Sequence, residues 1–336
     1  YTFTIYGVFW IGTLLALIIP SASGRVAVLV PIMVSLAKQL GFVDSSANSS
    51  KGRTGLILAA SMGTMIPAFN ILPANVPNMA LYGAADSVLN IQLTFTEYMF
   101  LNFPVMGFFP LLVYPIIIAL MFRDEPSYRE PEQKSEPWSK DEKRLLIILS
   151  LALILWITDG FHGISPAWVA LGAGIACLLP RIGILSSSVL GGEINYNPLL
   201  FLAGVIGLGA VANHVELGTL IAENILGILD LQRGEDFKNY ALISFTSMII
   251  GLFTTMPAQP PIMVSMASVL SEVTGWSQMS VIMTAITAWG VFPFFYQAPP
   301  VVVAIALGNL RIYDVTKMLT VYMIIGIMFK LPLHFP

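Results

Sequence analysis

The sequence predicts an all-α polytopic membrane protein built of two inverted halves, each with a re-entrant hairpin and a discontinuous helix. Three observations carry this. Of 336 residues, 56% are hydrophobic and 10% charged, whereas an average soluble domain is about 25% charged. The apolar residues fall in runs of the length that crosses a bilayer. Those runs are interrupted by Pro, Gly and small polar residues in an order that occurs twice. The low charge excludes a water-soluble globular protein and a disordered chain. A membrane β-barrel needs apolar-polar alternation, which the unbroken runs lack. The single cysteine, Cys177, excludes a disulfide scaffold, and 16 basic against 19 acidic residues argue against nucleic acid as a partner.

The first apolar run, Ile5 to Ile19, meets Pro20-Ser21-Ala22-Ser23-Gly24-Arg25 and resumes from Val26 to Leu40. Each arm is short for a full span, so the pair reads as a re-entrant hairpin. Its non-helical tip must be buried in protein or line a cavity. The run from Thr54 to Leu72 ends at Pro73-Ala74-Asn75-Val76-Pro77-Asn78 and continues as Met79 to Val88, a discontinuous helix. Glu97 to Phe122 is a whole span with Pro104, Pro110 and Pro115 as kinks. Arg123 to Arg144 holds 13 of the 35 charges together with Pro126, Pro131 and Pro137, and reads as a polar linker.

Beyond the linker, Leu145–Trp156, Ala167–Leu179 and Leu199–Ala212 are cores of three spans, followed by an amphipathic stretch, Glu216–Leu229. Tyr240–Met256, the tip Pro257-Ala258-Gln259-Pro260-Pro261 and Ile262–Leu270 form a second hairpin. Met279–Phe292 is broken at Pro293–Pro300 and resumes as Val301–Leu307, before a last span from about Val315 to Leu331. Four segments follow. Residues 1–122 are the first-repeat hairpin, broken helix and span, and 123–144 a cytoplasmic linker. Residues 145–238 are scaffold spans with the interfacial helix, and 239–336 the second-repeat hairpin, broken helix and span.

The order hairpin, broken helix, whole span thus occurs twice, but only the second copy has three spans before it. Tyr1 opens inside an apolar run, and symmetry predicts that N-terminal spans are missing, roughly 90 residues or more. Lys38, Lys51, Arg53, the six linker cations, Arg181, Arg311 and Lys317 fall in loops that the positive-inside rule puts on the cytoplasmic side. The first hairpin then enters from the cytoplasm and the second from outside. Arg233 and Lys238 lie outside as exceptions. This is the architecture of an inverted-repeat transporter whose site lies at the paired interruptions.

Such a site needs no fixed charge. Half-helix N-termini offer N–H groups to an anion, and unwound carbonyls and hydroxyls offer oxygens to sodium. The residues at the interruptions carry a family resemblance. Pro20-Ser21-Ala22-Ser23-Gly24-Arg25 resembles the Pro-Ser-Asn-Thr-Ala-Arg tip of the divalent anion/sodium symporter family. Leu72-Pro73-Ala74-Asn75-Val76-Pro77-Asn78 resembles its Thr-Pro-Pro-Asn break. Pro257-Ala258-Gln259-Pro260 stands where the second tip has Ser-Asn-Thr, and Gln297-Ala298-Pro299-Pro300 at the second break. Leu199–Gly218 resembles the family's Gly-rich helix.

The resemblance implies an elevator-type carrier, usually dimeric, that moves di- and tricarboxylates or sulfate with sodium between each tip and its facing break. The sequence departs from the pattern where Ala22 and Ser23 replace the tip's Asn and Thr, and where Ala258-Gln259-Pro260 has no hydroxyl. The candidate substrate and ion residues are Ser21, Ala22, Ser23, Gly24, Arg25, Asn75, Pro77, Asn78, Thr255, Pro257, Gln259, Pro260, Gln297 and Pro299, with Ser21, Ser23 and Asn75 for sodium.

Bland readings stand beside these. Ser21-Ala22-Ser23 can be a small-residue helix contact. Arg25 can bind the anion, pair with a carboxylate, snorkel, or face polar backbone. Asn75 and Asn78 can cap the following half-helix. Gln259 and Gln297 can bond between helices. Asp159, Glu216 and Glu223 read as solvated or interfacial. His162, His214 and His334 have no metal spacing, and no Ser/His/Asp set or phosphate loop occurs, so an enzyme is disfavoured. The expectation is secondary active transport of a small anion across a plasma or inner membrane, with no cofactor beyond a coupling cation, sodium first, and a homodimer as the assembly. The alternatives are another permease of the wider ion-transporter superfamily, proton-coupled or an exchanger, and a non-transporting membrane protein that keeps the fold.

Overall fold

The computed structural model describes residues 1–42, 50–126, 137–186, 188–192 and 230–335, with positions 196, 200, 203, 204, 211 and 214. Among the described residues every regular element is helical. Helix α1, Thr2–Ile18, stops where Pro20 pushes Ile19 into extended backbone (φ −111°, ψ 109°). Ser21 then caps α2, Ala22–Gln39, its hydroxyl accepting from the Gly24 N–H at 3.1 Å. Helix α3, Lys51–Met65, starts where the Asp124 carboxylate accepts from the Gly52 N–H at 2.9 Å.

From Pro67 the chain tightens into two 3₁₀ turns, Pro67–Asn70 and Leu72–Ala74, before α4, Val76–Leu89. Pro67 and Pro73 have no N–H to continue an α-helical ladder. Helix α5, Phe95–Met121, is continuous over 27 residues. It relaxes into a π segment at Phe103–Phe108, where Pro104 disrupts the bonding register.

Helix α6, Lys140–Ile157, opens with a reciprocal cap between Ser139 and Glu142 and packs on α7, Pro166–Leu178. The second half runs α8, Asp236–Phe253, then α9, Gln259–Thr274. Helix α10, Gln278–Ile286, passes into 3₁₀ turns at Thr287–Gly290 and Phe295–Gln297, then α11, Pro299–Gly308. Helix α12, Ile312–His334, has 23 residues and its own π segment, Gly326–Lys330. Helices α5 and α12 are each long and apolar enough to cross a membrane alone.

Packing follows the same plan in both halves. Helices α1 and α2 lie against α3, and α8 and α9 against α10. The second helix of each pair also packs on the other half, α2 on α11 and α9 on α4. Small residues allow the closest approach: a Cβ on Gly63 of α3 would stand 2.5 Å from the Phe9 carbonyl oxygen of α1. The halves meet where Tyr114 stacks on Tyr322 at 4.1 Å and Phe69 meets Trp289 edge-on at 6.1 Å.

Three expectations need adjustment. The discontinuous helices break earlier than the sequence suggests, at Pro67 and Thr287 rather than Pro73 and Pro293. Gln259, Pro260 and Pro261 belong to the first turn of α9, not to a loop, because the first N–H groups of a helix need no partner and proline fits there. Asp159 is buried, not solvated: its carboxylate accepts from the Phe95 N–H and, at 3.2 Å, from the Thr96 hydroxyl, and so caps α5. Most of Leu199–Ala212, and Glu216–Leu229 with Glu216 and Glu223, lie outside the described residues.

Candidate functional site

The N-terminal ends of α2, α4 and α11 converge on one cavity of about 60 Å³. The first half contributes Ser21, Ala22 and Ser23 at the start of α2, and Asn75 and Pro77 at the start of α4. The second half contributes Pro257 from the α8–α9 turn and Pro299 from the start of α11. Seven predicted residues, separated by up to 278 positions, therefore share one wall. Met65, Phe69, Val76, Met256 and Pro300 complete it. The sequence reading did not single out Met65, Phe69 or Met256. Pro67 was the available signal for the first break, and nothing local marked Met256.

The wall is chemically lopsided. N–H groups in the first turn of a helix have no intrahelical acceptor, and the aligned peptide dipoles make that end partially positive. At α2 the groups of Ala22 and Ser23 meet this description beside the two serine hydroxyls. At α11 the first two residues are Pro299 and Pro300, which carry no N–H. So donors come from the first half, while Met256, Pro257, Pro299 and Pro300 make an apolar wall.

Asn75 has a special place. Its Oδ1 accepts from the Asn78 N–H at 3.1 Å, which fixes the amide orientation. Its Nδ2 is buried without a hydrogen-bond partner. A buried unsatisfied donor costs about 1–3 kcal/mol, and an oxygen atom in the cavity would satisfy it.

The remaining predicted residues sit behind the wall and hold it. Arg25 is wholly buried and donates to the carbonyls of Ile19, Thr64 (2.7 Å) and Ala74 (2.9 Å). It thereby ties the α1–α2 turn to the first break, the polar-backbone alternative among its readings. Gly24 gives its N–H to Ser21. Asn78 donates to the carbonyls of Ala68 (3.1 Å) and Ile71 (2.7 Å). Gln259 donates to the Ser247 carbonyl and, at 2.7 Å, to its hydroxyl. Gln297 donates to the Gly251 carbonyl at 2.5 Å and accepts from the Met256 N–H at 3.0 Å through its own carbonyl. Thr255 accepts from the Ala258 N–H at 2.9 Å in the turn, and Pro260 is buried in α9. Among the described residues no cluster of His, Cys, Asp or Glu could hold a metal ion. Oxygen donors for a hard monovalent cation are the Ser21 and Ser23 hydroxyls.

A family model described as the sodium:sulfate symporter transmembrane region matches residues 2–334. The chain is 26% identical over 247 residues to the inner membrane protein YbhI of Escherichia coli K12, covering 70% of this chain and 50% of that protein. It is 29% identical over 239 residues to the L-tartrate/succinate antiporter of E. coli UTI89, covering 66% and 48%. It is 23% identical over 246 residues to a membrane protein of Cupriavidus necator H16, covering 71% and 47%. The chain spans about half the length of the curated relatives it matches.

Proposed function

The chain belongs to the sodium:sulfate symporter transmembrane family, an integral membrane family of anion transporters, and on that premise we propose that it carries small di- or tricarboxylates or an inorganic anion by cation-coupled secondary transport. The observation that carries this reading is the shared cavity with its one-sided set of donors. A carboxylate or sulfate oxygen would take the unpartnered Asn75 Nδ2 and the N–H groups at the start of α2. The helix dipoles of α2 and α4 would supply the positive potential that no side chain supplies there. Sodium would bind through the Ser21 and Ser23 hydroxyls; Asn75, expected to join them, has its amide oxygen held by the Asn78 N–H. At about 60 Å³ the cavity has room for about two waters at about 30 Å³ each, so a dicarboxylate enters only after the two turns part.

In this reading α1–α2 and α8–α9 are re-entrant hairpins related by a two-fold axis in the membrane plane. The exchanged packing of α2 on α11 and α9 on α4 supports that relation. Residues 1–122 and 239–336 would move together as the elevator, against a scaffold that includes 145–238, in a homodimer. Residues 123–144 would be a cytoplasmic linker, and the site of action a bacterial inner or plasma membrane. The apolar second wall favours exchange over double sodium symport as the second reading.

Full-length protein in proteoliposomes, given labelled succinate or sulfate with and without a sodium gradient, or with internal unlabelled anion, tests both. Uptake driven by sodium supports symport, and uptake only against internal anion supports exchange. Absence of uptake for every anion in all three conditions overturns the transport reading.

A further inference from the structure

Lys330 plays no part in the cavity, yet its chemistry is conspicuous for a membrane interior. It lies in the π segment of α12 and is wholly buried. Its ammonium donates to the Thr287 carbonyl at 3.1 Å. It sits so close to Gly290 that a Cβ there would stand 2.2 Å from Nζ. Thr287 and Gly290 bound the 3₁₀ segment at which the second discontinuous helix breaks. Carbonyls at the end of a helix carry partial negative charge and hold a cation there. Among the described residues no carboxylate pairs with Lys330.

The first half fills the corresponding junction without a charge. There Gly107, in the π segment of α5, faces the break, and a Cβ on it would stand 2.2 Å from Nδ2 of Asn70. Asn70 ends the 3₁₀ segment of the first break as Gly290 ends that of the second. A neutral amide on the break thus meets a glycine on the span in one half. In the other, an ammonium on the span meets a glycine on the break. Packing alone does not require the charge.

His334 follows Lys330 by one turn (i, i+4) on α12. Its Nε2 is buried without a partner, and the residue lines a cleft of about 700 Å³ with Asn102, Asp236, Trp276 and Thr284. The titratable groups that face this pair come from α8. Asp236 accepts from the Trp276 indole at 2.8 Å, and the Tyr240 phenol donates to the Leu331 carbonyl at 2.7 Å. Tyr322, earlier on α12, stacks on Tyr114 instead. The segment Thr287–Gly290 and α10 present no titratable side chain. Two basic groups one turn apart oppose each other's protonation.

We propose that Lys330 and His334 form a proton-binding site, loaded from the cleft, whose charge state sets how firmly the second helix break is held. With the proton on Nζ, the ammonium grips the Thr287 carbonyl. When Nζ releases H⁺ toward the cleft, a neutral amine remains and the charge-assisted bond is lost. Coupling of this proton to anion movement rests on the transport reading above; the proton site itself does not.

Full-length protein in detergent, melted from about pH 6 to about pH 9, tests the site without any substrate. The ammonium's bond to Thr287 holds the break only within the folded protein; a buried charge without a counter-ion is still disfavoured relative to the unfolded chain, so acid lowers the wild-type melting temperature relative to Lys330→Met. The expected change in the gap between the two is about 3 °C or more across that range. Lys330→Arg, charged at every pH, runs parallel to Lys330→Met, and decides the matter against wild type if Lys330→Met does not fold. Parallel curves for wild type and either folded variant overturn the proposal. In sodium-free proteoliposomes a proton gradient accelerates succinate movement by wild type, and both variants lose that acceleration. If wild type moves no succinate, the transport reading falls while the melting curves still decide the proton site.

Discussion

Arg25→Met separates two roles for the one guanidinium near the cavity. In the structure Arg25 binds no cavity atom and serves three carbonyls, on Ile19, Thr64 and Ala74. Methionine keeps an unbranched apolar stem and removes every donor. Three buried acceptors left unpaired cost about 1–3 kcal/mol each. Part is offset, because the variant no longer buries a charge, whose removal from water costs several kcal/mol. Hydrogen bonds to a charged group contribute about 1.5–3 kcal/mol each, so three of them less that offset leave about 3–5 kcal/mol of destabilisation. At about 2–4 °C for each kcal/mol, the melting temperature of full-length protein in detergent should fall by about 6–20 °C, with no anion present. Arg25→Lys falls between, since an ammonium lacks the planar fork that reaches several carbonyls at once. The reasoning is refuted if Arg25→Met melts within about 2 °C of wild type but loses its stabilisation by succinate or sulfate. That outcome would make Arg25 an anion ligand on which the fold does not depend.

The remaining predictions rest on single contacts. Asn75→Ala should cost about 1 kcal/mol through its lost cap and abolish anion-induced thermal stabilisation. Asn75→Asp keeps the cap acceptor but repels the anion, and an increased anion shift in it would count against an anion cavity. Gly63→Ala drives a Cβ against the Phe9 carbonyl and should cost about 1–3 kcal/mol. Gly7→Ala, which meets nothing within 4 Å, should be neutral or stabilising by about 0.5–1 kcal/mol, both read as melting temperature. Asp159→Ala frees the start of α5 and should cost about 1–2 kcal/mol, with faster amide exchange at Phe95. At the head of α6, hydrogen bonds from Ser139, its backbone N–H first, hold the Glu142 carboxyl below its usual range. A carboxylate depressed in the folded state contributes stability above the ordinary glutamate range and loses it as pH falls through the folded value. Amide exchange in the first turn of α6 should therefore speed up in acid for wild type and not for Glu142→Gln.

Most interruptions that proline makes were legible, because a missing N–H acts locally and shows in any sequence; Pro67, inside the apolar run Thr54 to Leu72, was passed over. Pro20, Pro73, Pro257 and Pro299 each stand beside an observed break. The Asn75 cap was legible because it too acts locally, on the N–H three residues on; Ser21, which caps α2 in the same way, was read as a site hydroxyl or a helix contact. Thr287–Gly290 was not legible, since no proline marks it and its 3₁₀ turns are set by packing against α8 and α12. Asp159 was misread because its partner N–H, on Phe95, lies 64 residues away.

The sequence by itself determined that this is a helical membrane protein with two sets of interrupted helices, and roughly where each interruption falls. Those properties depend on hydropathy, proline and capping, which act within a turn of chain. Only the tertiary structure decided what the polar residues at the interruptions are for. Arg25, Asn78, Gln259 and Gln297 have the same chemistry as a binding residue, but backbone carbonyls reach them first. Asn75 keeps a donor unspent beside the cavity. A buried polar group must be satisfied by whatever lies nearest, and what lies nearest is a property of the packing.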